Sequence, residues 1–596
     1  MIEEYMSNSE TQPEEEYSLR RYFVPLTPVK IIHFIVIIGI VVFANSLFNP
    51  FIFDDIPQIV QNAQVHQISS ITSFFAQSFA FPGAHAGDLL HIYFKPILFS
   101  TYTFLYSLSG ASVFPFHALQ LIIHIFNAIF VYLLFKRFIK SNVSFLLSVI
   151  FLVHPLNSES VIYIANLQDV LFTFFGLLAL LLIPKNNTVF SPIRLSILFL
   201  SLLFSILSKE TGIVFFLFVW LFVFFFHNKS LLTIIGIELG AFIIALALRY
   251  NASFHATPIM SLSLIQHESL LARMLSDPKI IFYYVSHFFL PIHLATGQEW
   301  VVKEFTLIDF NLPLLIDTVL FIALIVIGVV VYRKQKKIFS VYLFFTLWFL
   351  VGMGMHLQII PLDVTVADRW FYFPMIGLLG LLGVTFERYI TFTKPQIMLF
   401  FIVTFLLAST TFVRTAQWQS PLSLYKHDIK YAGNSPVMAS YYGALLVDQG
   451  DLVEAEKYLT ESVTSNPSIG SNLVNLAVLY EHQGKYASAE AIYKQHISQN
   501  KSSNYAVLSY QSLTRLALIH ENNPTKAKYF AQKGLSLYPS NTLLMQYLAV
   551  ADYFLGEKKE AESLSKKLYD SSPNTQTQKI YTLIKEDQLT REKLLQ

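Results

Sequence analysis

The sequence places two adjacent carboxylates, Asp54 and Asp55, in the segment NSLFNPFIFDDIPQ, directly after a long apolar run. Neighbouring carboxylates raise each other's affinity for protons, so one can act as a general base while the other holds a hydrogen bond or a cation. Such a base can activate a hydroxyl nucleophile. The structural alternative is that Asp55 caps a helix that begins at Ile56-Pro57.

Further ionisable side chains interrupt sequence that is otherwise apolar. They are Lys95, His154, Glu159, Lys209, Glu210, Asp368 and Arg369, in the segments FKPIL, FLVHPLNSES, LSKETG and VADRWFYFP. Ionisable residues at membrane depth are costly and usually face a bundle interior or a cavity. We therefore expect one polar site that collects them. The alternative for each is snorkelling to the interface or a local ion pair, for example between Lys209 and Glu210.

Composition narrows the class of protein. The 596 residues are 54% hydrophobic and 13% charged, whereas a soluble protein carries about 25% charged residues. The sequence therefore predicts a chain largely embedded in lipid. A net charge of +2 provides no basic excess for a nucleic-acid backbone, so no nucleic-acid partner is expected. The absence of cysteine removes disulfides, zinc fingers and cysteine nucleophiles.

The apolar sequence is concentrated in the first two thirds of the chain. A run needs roughly 17–25 residues to cross about 30 Å of hydrocarbon, and about eleven runs qualify. They lie near 31–48, 113–135, 139–155, 160–183, 192–208, 211–227, 230–248, 312–332, 339–360, 370–386 and 395–413. This pattern predicts an all-α, polytopic membrane domain over 31–413. The acidic, polar residues before it predict a disordered cytoplasmic tail over 1–30.

The basic residues of the loops predict how the spans are oriented. With eleven spans and a cytoplasmic N-terminus, fifteen Lys and Arg residues fall inside and seven fall in the outer loops, as the positive-inside rule expects. The chain after the last span is then extracytoplasmic, on the same face as Asp54. Two proline-broken apolar segments, near 92–110 and 279–297, are expected to be amphipathic helices in the membrane interface.

The remainder of the chain repeats with a period of 34 residues. Gly450 and Gly484 are 34 residues apart, as are Ala527 and Ala561. This is the tetratricopeptide spacing, in which a small residue packs between two antiparallel helices and a proline ends the second one. The spacing predicts an α-solenoid of about four repeats, of which the third has a weak first helix. The repeats cover 436–575, after a linker at 414–435 and before a C-terminal helix or tail at 576–596.

Tetratricopeptide arrays bind extended peptides or partner proteins in a concave groove, or serve as a structural cap or oligomerisation arm. Asn472 and Asn475 lie three residues apart on a first helix and share one face. We expect these two asparagines to contact an acceptor chain in the groove.

The order of these motifs resembles one family. An Asp-Asp loop after the first span, then KPIL, FHALQLIIHIFNA, HPLNSES, LSKETG, ADRWFYFP and the repeats looks like the transmembrane and tetratricopeptide repeat-containing protein O-mannosyltransferases. The resemblance covers nearly the whole chain after about residue 40. It implies a glycosyltransferase of the GT-C fold that uses a lipid-phosphate sugar, with an acidic residue of the first outer loop, here Asp54, as the catalytic group. Relatives often have arginine where this chain has Lys95.

The resemblance implies one reaction, and the chemistry of the residues fits it. A hexose, expected to be mannose, would move from a polyprenyl or dolichyl phosphate to Ser or Thr hydroxyls of proteins, by a single inverting displacement. Lys209, Arg369 and Lys95 would bind the donor phosphate, whose negative charge grows in the transition state. His154, Glu159, Glu210 and Asp368 would line the site. No protein-bound cofactor is predicted, and a divalent metal stays unassigned.

Two other functions compete with this one. A GT-C enzyme could glycosylate a lipid or glycan instead of a protein, or the chain could be a non-enzymatic membrane scaffold that carries repeats. The predicted location is an integral, multi-pass one, in the plasma (inner) membrane of a prokaryote or the endoplasmic reticulum membrane of a eukaryote. The predicted partners are membrane lipid, the polyprenyl-phosphate sugar and a protein or peptide acceptor.

Overall fold

The computed structural model describes most of the chain. The described residues are 26–81, 91–184, 190–226, 231–253, 264–387, 390–432, 435–467, 469–499, 506–571 and 573–595. Residues 1–25, which are most of the predicted tail at 1–30, lie outside them.

The membrane part is a bundle of helices. They are α1 (Pro28–Phe43), α2 (Ile71–Ala76), α3 (Pro96–Ser109), α4 (Val113–Phe135), α5 (Ser141–Val153), α6 (Ser158–Ile162), α7 (Leu167–Leu182), α8 (Pro192–Ser208), α9 (Val214–Phe226), α10 (Leu231–Ser253), α11 (Leu264–His267), α12 (Leu270–Phe289), α13 (Leu312–Lys334), α14 (Lys336–Gly354), α15 (Tyr372–Phe386) and α16 (Lys394–Gln417). Single turns of 3-10 or π-helix occur at Ala44–Phe48, Ile56–Val60, Ile68–Ser70, Pro155–Asn157, Ile164–Asn166, Glu210–Ile213, Leu307–Asn311 and Asp368–Phe371. Strands β1 (Phe79–Phe81) and β2 (His91–Tyr93) pair antiparallel in the first long loop. The described chain is otherwise helical, so the predicted fold class is confirmed.

Each of the eleven predicted apolar runs coincides with a helix or helix pair. By length and composition, eight described helices could cross a membrane, and nine if a bent pair counts as one span. Two further apolar helices, Pro192–Ser208 and Glu210–Phe226, are shorter. The chain is therefore an integral membrane protein, while the count of eleven spans stays a prediction.

The bent pair has a clear cause in the sequence. Helix α5 and the segment Pro155–Ile162 meet at an angle of 51°. Proline has no N–H to donate and disfavours helical geometry in the residue before it. His154 accordingly has an extended backbone, and its Nδ1 accepts a hydrogen bond from the N–H of Leu156. The chain after α5 therefore leaves the direction of that helix at His154.

The second part of the chain is an array of helix pairs. It follows α17 (Pro421–Asp428) and consists of α18 (Pro436–Asp448), α19 (Leu452–Ser465), α20 (Gly470–His482), α21 (Tyr486–Gln499), α22 (Ala506–Ile519), α23 (Pro524–Leu537), α24 (Thr542–Phe554), α25 (Lys558–Ser571), α26 (Thr575–Lys585) and α27 (Arg591–Leu595). The eight helices from α18 to α25 form the four predicted pairs. Helix α22 runs over 14 residues, so the expectation of a weak first helix in the third repeat was wrong.

The glycines of the 34-residue period lie where the first helix of a repeat ends. Gly450, Gly484 and Gly556 have φ of 80°, 72° and 84°, a left-handed conformation that glycine adopts without steric cost. In the third repeat Asn522 takes this conformation, with φ of 52°. Asparagine is the usual substitute for glycine at such a position.

One hydrophobic core extends from the membrane helices through the first repeat to the first helix of the second. It includes Ile31 in α1, Leu459 in α19 and Leu479 in α20. Two further cores lie within the rest of the array. The first repeat is thus packed as part of the membrane domain.

A buried ion pair fixes the junction between the two parts. Arg414 donates two hydrogen bonds to Asp428, of 2.7 and 3.1 Å, and Asp428 is fully buried. Thr296 donates to the same carboxylate from its backbone N–H and its hydroxyl. The predicted linker at 414–435 therefore contains a helix and a buried ion-pair network.

Candidate active site

The two adjacent carboxylates have different environments. Asp55 is 2% exposed, and its carboxylate accepts hydrogen bonds from the N–H of Ile52 at 3.1 Å and the N–H of Ala165 at 2.7 Å. The Asp54 side chain is half-buried, and no described residue donates a hydrogen bond or forms an ion pair with it. Asp54 is therefore the carboxylate of the pair that is open to a further partner.

Asp55 fastens the loop that carries Asp54, here called the Asp54 loop (residues 49–60). Burial raises the pKa of Asp55 well above its ordinary value and the charge of Asp54 adds to this, while the N–H groups of Ile52 and Ala165 oppose it. The side chain of Asp55 does not cap the helical turn at Ile56–Val60. The alternative reading of Asp55 as a helix cap was therefore wrong.

Lys209 pairs with a carboxylate that the sequence reading did not select. Its Nζ lies 2.5 Å from Oδ1 of Asp169, and the Asp169 side chain is 4% exposed. Glu210 instead pairs with Arg249 at 3.0 Å, where both side chains are nearly half exposed. The local Lys209–Glu210 pair was thus the wrong alternative.

Arg369 binds Glu159 through two groups. The guanidinium donates to Oε1 of Glu159 at 2.5 Å and the backbone N–H of Arg369 donates to Oε2 at 3.1 Å. Asp363 lies 3.7 Å from the other side of the guanidinium. The Glu159 side chain is 2% exposed, so this pair is almost entirely removed from water.

Both members of the first ion pair and the arginine of the second line one small cavity, here called the cation pocket. Its walls include Asp169, Phe172, Lys209, His356, Arg369 and Trp370. His356 stacks on Trp370 with ring centroids 5.2 Å apart, and its Nδ1 is buried without a hydrogen-bond partner among the described residues. Burial lowers the pKa of His356 to about 3, with further lowering by Lys209 and Arg369. The pocket is thus lined by two cations, by Asp169 as the counter-charge of Lys209, and by a neutral imidazole.

Lys95 belongs to the same electrostatic neighbourhood. It is buried at the start of α3, and burial lowers its pKa, which Glu210 and Asp169 raise and Lys209 lowers further. Lys95 is therefore close enough to Lys209 and Asp169 for their charges to act on it.

Two of the predicted site-lining residues have structural partners. His154 Nε2 donates to the carbonyl of Phe288 at 3.0 Å and its ring stacks on the Phe288 ring. Asp368 accepts a hydrogen bond of 2.7 Å from the Tyr283 hydroxyl, and its Oδ2 is buried without a partner among the described residues. These contacts hold α12 against the end of the bundle.

The two predicted groove asparagines are buried inside the array. Asn472 is fully buried and donates to the carbonyl of Ser462 at 3.3 Å. Asn475 is 8% exposed and donates to the Ser440 hydroxyl at 3.0 Å. Their shared face packs against the preceding repeat, which does not fit the expected contact with an acceptor chain.

Sequence reading missed Asp169 and His356. Asp169 lies in the run NLQDVLFTFFG, where a single acidic residue in a predicted span was the available signal. His356 follows α14 in the segment GMGMHLQ and carries no local pattern. No group of three metal-ligating side chains occurs among the described residues.

No protein-family model matches the chain, but curated proteins do. F38B6.6 of Caenorhabditis elegans, named a protein O-mannosyl-transferase, is 24% identical over 441 residues, which are 72% of this chain and 62% of that protein. Human protein O-mannosyl-transferase TMTC3 is 22% identical over an alignment of 620 residues, covering 88% of this chain and 66% of that protein. These relatives confirm the family resemblance.

The matches to protein O-mannosyl-transferases are partial in length or in identity. The chain spans less than two thirds of the length of either relative. Protein O-mannosyl-transferase TMTC1 of Mus musculus is 30% identical, but over 29% of this chain. PilF of Pseudomonas aeruginosa matches 41% of the chain at 14% identity with a TM-score of 0.24, a value too low to carry an argument.

Proposed function

We propose that this protein is a membrane glycosyltransferase that moves a hexose, expected to be mannose, from a polyprenyl or dolichyl phosphate to Ser or Thr hydroxyls of proteins. The observation that carries the proposal is the pairing of an open carboxylate with a cation pocket. The Asp54 carboxylate has no partner among the described residues, and the stretch that follows α5, residues 155–169, contacts both features. In that segment Glu159 and Asp169 bind the pocket cations, while Ala165 binds Asp55.

The proposed reaction is a single displacement. Asp54 accepts the proton of the acceptor hydroxyl as its oxygen forms a bond to the anomeric carbon. The bond from that carbon to the phosphate oxygen breaks, and the electron pair leaves with the polyprenyl phosphate. Because one group attacks as the other departs, the anomeric configuration inverts.

The pocket cations suit the departing phosphate. Lys209 and Arg369 are held by buried carboxylates, so their positions are fixed before a ligand binds, and Lys95 adds a third positive group. Fixed charges aimed at developing negative charge stabilise a transition state more than the ground state. The positive charge of these side chains and their fixed positions therefore both support a sugar-phosphate donor.

The proposed location follows from the same features. The lipid tail of the donor requires the site at a membrane surface, and a protein acceptor fits the side that carries the repeats. We propose that this side is extracytoplasmic, in line with the distribution of Lys and Arg in the loops.

Transfer by the purified protein tests this function. The protein in detergent or nanodiscs is incubated with mannosyl polyprenyl phosphate, labelled in the sugar, and a Ser/Thr-rich peptide. We expect label on the peptide, an α-linkage from a β-linked donor, and no transfer to the same peptide with alanine at every Ser and Thr. Label on a lipid or glycan alone would contradict the protein acceptor, and no transfer from any polyprenyl phosphate hexose would contradict the enzyme.

A further inference from the structure

Phe53, the residue before Asp54, has an unfavourable backbone conformation. Its φ is 52°, in the left-handed region that a bulky aromatic residue rarely adopts. Such a conformation costs of order 1–3 kcal/mol and persists only where the surroundings enforce it. Something must therefore hold the Phe53 ring in place.

The ring of Phe53 is held by four aromatic residues. The ring centroids lie 5.9 Å from Tyr163, 6.3 Å from Trp418, 5.3 Å from Tyr425 and 5.6 Å from Tyr441. These separations lie in the range favoured by offset and edge-to-face aromatic pairs. Tyr441 belongs to α18, the first helix of the first repeat, so the array supplies one wall of this aromatic cage.

The other walls are fixed to the membrane domain. Trp418 and Tyr425 both lie within the stretch of chain that the buried Arg414–Asp428 pair closes. The end of α16 is fastened to the chain after α1, because Asn49 donates to the carbonyl of Thr415 at 3.1 Å. The cage is therefore rigid on both sides of Phe53.

The Asp54 loop is thus restrained at three successive residues. Phe53 is caged, the N–H of Asp54 donates to the Tyr163 hydroxyl at 3.0 Å, and Asp55 binds Ala165. The backbone of Asp54 is fixed while its carboxylate has no partner among the described residues.

We infer that the first repeat positions the catalytic base, with Tyr441 and Phe53 as positioning residues that set the place of Asp54. The inference rests on the proposed function and assigns the repeat array a part in constructing the active site. The first repeat shares the core of the membrane domain, which fits this role. A misplacement of about 1 Å in a reacting group can cost on the order of 10²-fold in rate, so loss of one cage wall should appear in kcat.

The test compares two neighbouring tyrosines of α18 in the full-length protein. Tyr441→Leu removes the ring that contacts Phe53. Tyr442→Leu is the matched control, because Tyr442 packs on Tyr458 at 4.9 Å within the first repeat and is nearly buried. Tyr441→Phe keeps the ring and removes only the hydroxyl, so it separates loss of the cage wall from loss of the hydroxyl.

Three measurements are made on each variant: kcat and KM with a short peptide acceptor, the thermal midpoint, and deuterium uptake of residues 50–60. We expect Tyr441→Leu to lower kcat by roughly tenfold to a hundredfold, to leave the KM for the donor unchanged, and to raise deuterium uptake in the loop. Tyr442→Leu should lower the thermal midpoint at least as much as Tyr441→Leu does. Its kcat and the deuterium uptake of residues 50–60 should stay near the wild-type values.

Two results would overturn the inference. One is unchanged deuterium uptake in residues 50–60 of Tyr441→Leu. The other is a loss of kcat that follows the loss of thermal midpoint equally in both leucine variants, since that would be a general folding effect. If the wild-type protein transfers no sugar, the proposed function fails, and deuterium uptake still decides whether the first repeat restrains the loop.

Discussion

The Asp54 loop and the cation pocket share the segment after α5 but are built in opposite ways. In the pocket, Lys209 and Arg369 each bind a nearly buried carboxylate. In the loop, one carboxylate binds two backbone N–H groups and its neighbour is left open.

The difference fits two different tasks. An unpaired buried charge is strongly unfavourable. Because each pocket cation already binds a carboxylate, the empty pocket has no lone buried cation, and the same cations can contact an anionic ligand when one binds. A base must keep free lone pairs, so its position has to be fixed through the backbone and the neighbouring residues. The following predictions test this contrast, from the largest expected effect to the smallest.

Asp54→Asn should have the largest effect. The amide keeps the size of the side chain but cannot accept the proton, so kcat should fall by about 10²–10⁴-fold, as is typical for loss of a general base. The thermal midpoint should not change, because no described residue depends on this carboxylate. A stable Asp54→Asn protein with a near-normal kcat would show that another residue is the base.

Arg369→Gln should destabilise the protein most. It leaves Glu159 as an unpaired buried charge, which costs about 3–5 kcal/mol. Adding Glu159→Gln removes that charge and should restore the thermal midpoint without restoring donor affinity. Recovery of both properties in the double variant would show that Arg369 has only a structural role.

Asp55→Asn should lower kcat less than Asp54→Asn does, and should lower the thermal midpoint less than Arg369→Gln does. One of the two N–H donors, from Ile52 or Ala165, would face an amide NH₂, and an unsatisfied buried group costs about 1–3 kcal/mol. We expect a lower thermal midpoint and a smaller loss of kcat than in Asp54→Asn. An equal or greater loss of kcat at unchanged stability would exchange the roles of the two aspartates.

Glu299 lies near the junction between the membrane part and the repeats, and it should make the stability of the protein depend on pH. Burial raises its pKa to about 8, and Asp363, which also approaches Arg369, adds to this. The folded protein therefore binds more protons than the unfolded chain between its ordinary pKa of 4.5 and about 8. Its contribution to stability decreases as pH rises through this range.

Glu299→Gln should remove that dependence. Between pH 5 and pH 8 the thermal midpoint of the wild type should fall further than that of the variant, by about 1 °C for each kcal/mol involved in a chain of 596 residues. Parallel pH profiles for the two proteins would contradict the raised pKa.

Lys303→Gln should have the smallest effect. It removes the pair with Glu268, in which the Lys303 side chain is 67% exposed, and such pairs contribute about 0–1 kcal/mol. We expect a thermal midpoint near that of the wild type, measured beside Arg369→Gln, the buried-pair variant. A loss comparable to that of Arg369→Gln would mean that exposed and buried pairs contribute equally here.

Much of the architecture could be predicted because it depends on periodicity. Apolar runs marked the membrane helices, and the 34-residue period marked the repeat helices, including the glycines with positive φ. The ion-pair partner of each charged side chain could not be predicted from the sequence. Lys209 has an extended backbone, with φ of −156° and ψ of 143°, and successive side chains of an extended chain point to opposite sides. Lys209 and Glu210 are therefore adjacent in sequence but reach different partners.

Asn472 and Asn475 illustrate a second limit. Their spacing correctly puts them on one face of α20, but which face of a helix is covered depends on the neighbouring repeat. The contacts with Ser462 and Ser440 come from that neighbour, and no pattern within α20 specifies them.

The aromatic cage has a consequence for the order of biosynthesis. The Asp54 loop leaves the ribosome early, whereas Trp418, Tyr425 and Tyr441 are made only after the last predicted span. Until those residues arrive, Tyr163 is the one member of the four-residue cage that has been made, and three of its walls are missing. The nascent protein would then insert its helices first and gain an ordered base only when the first repeat docks, which delays activity until the membrane domain is complete.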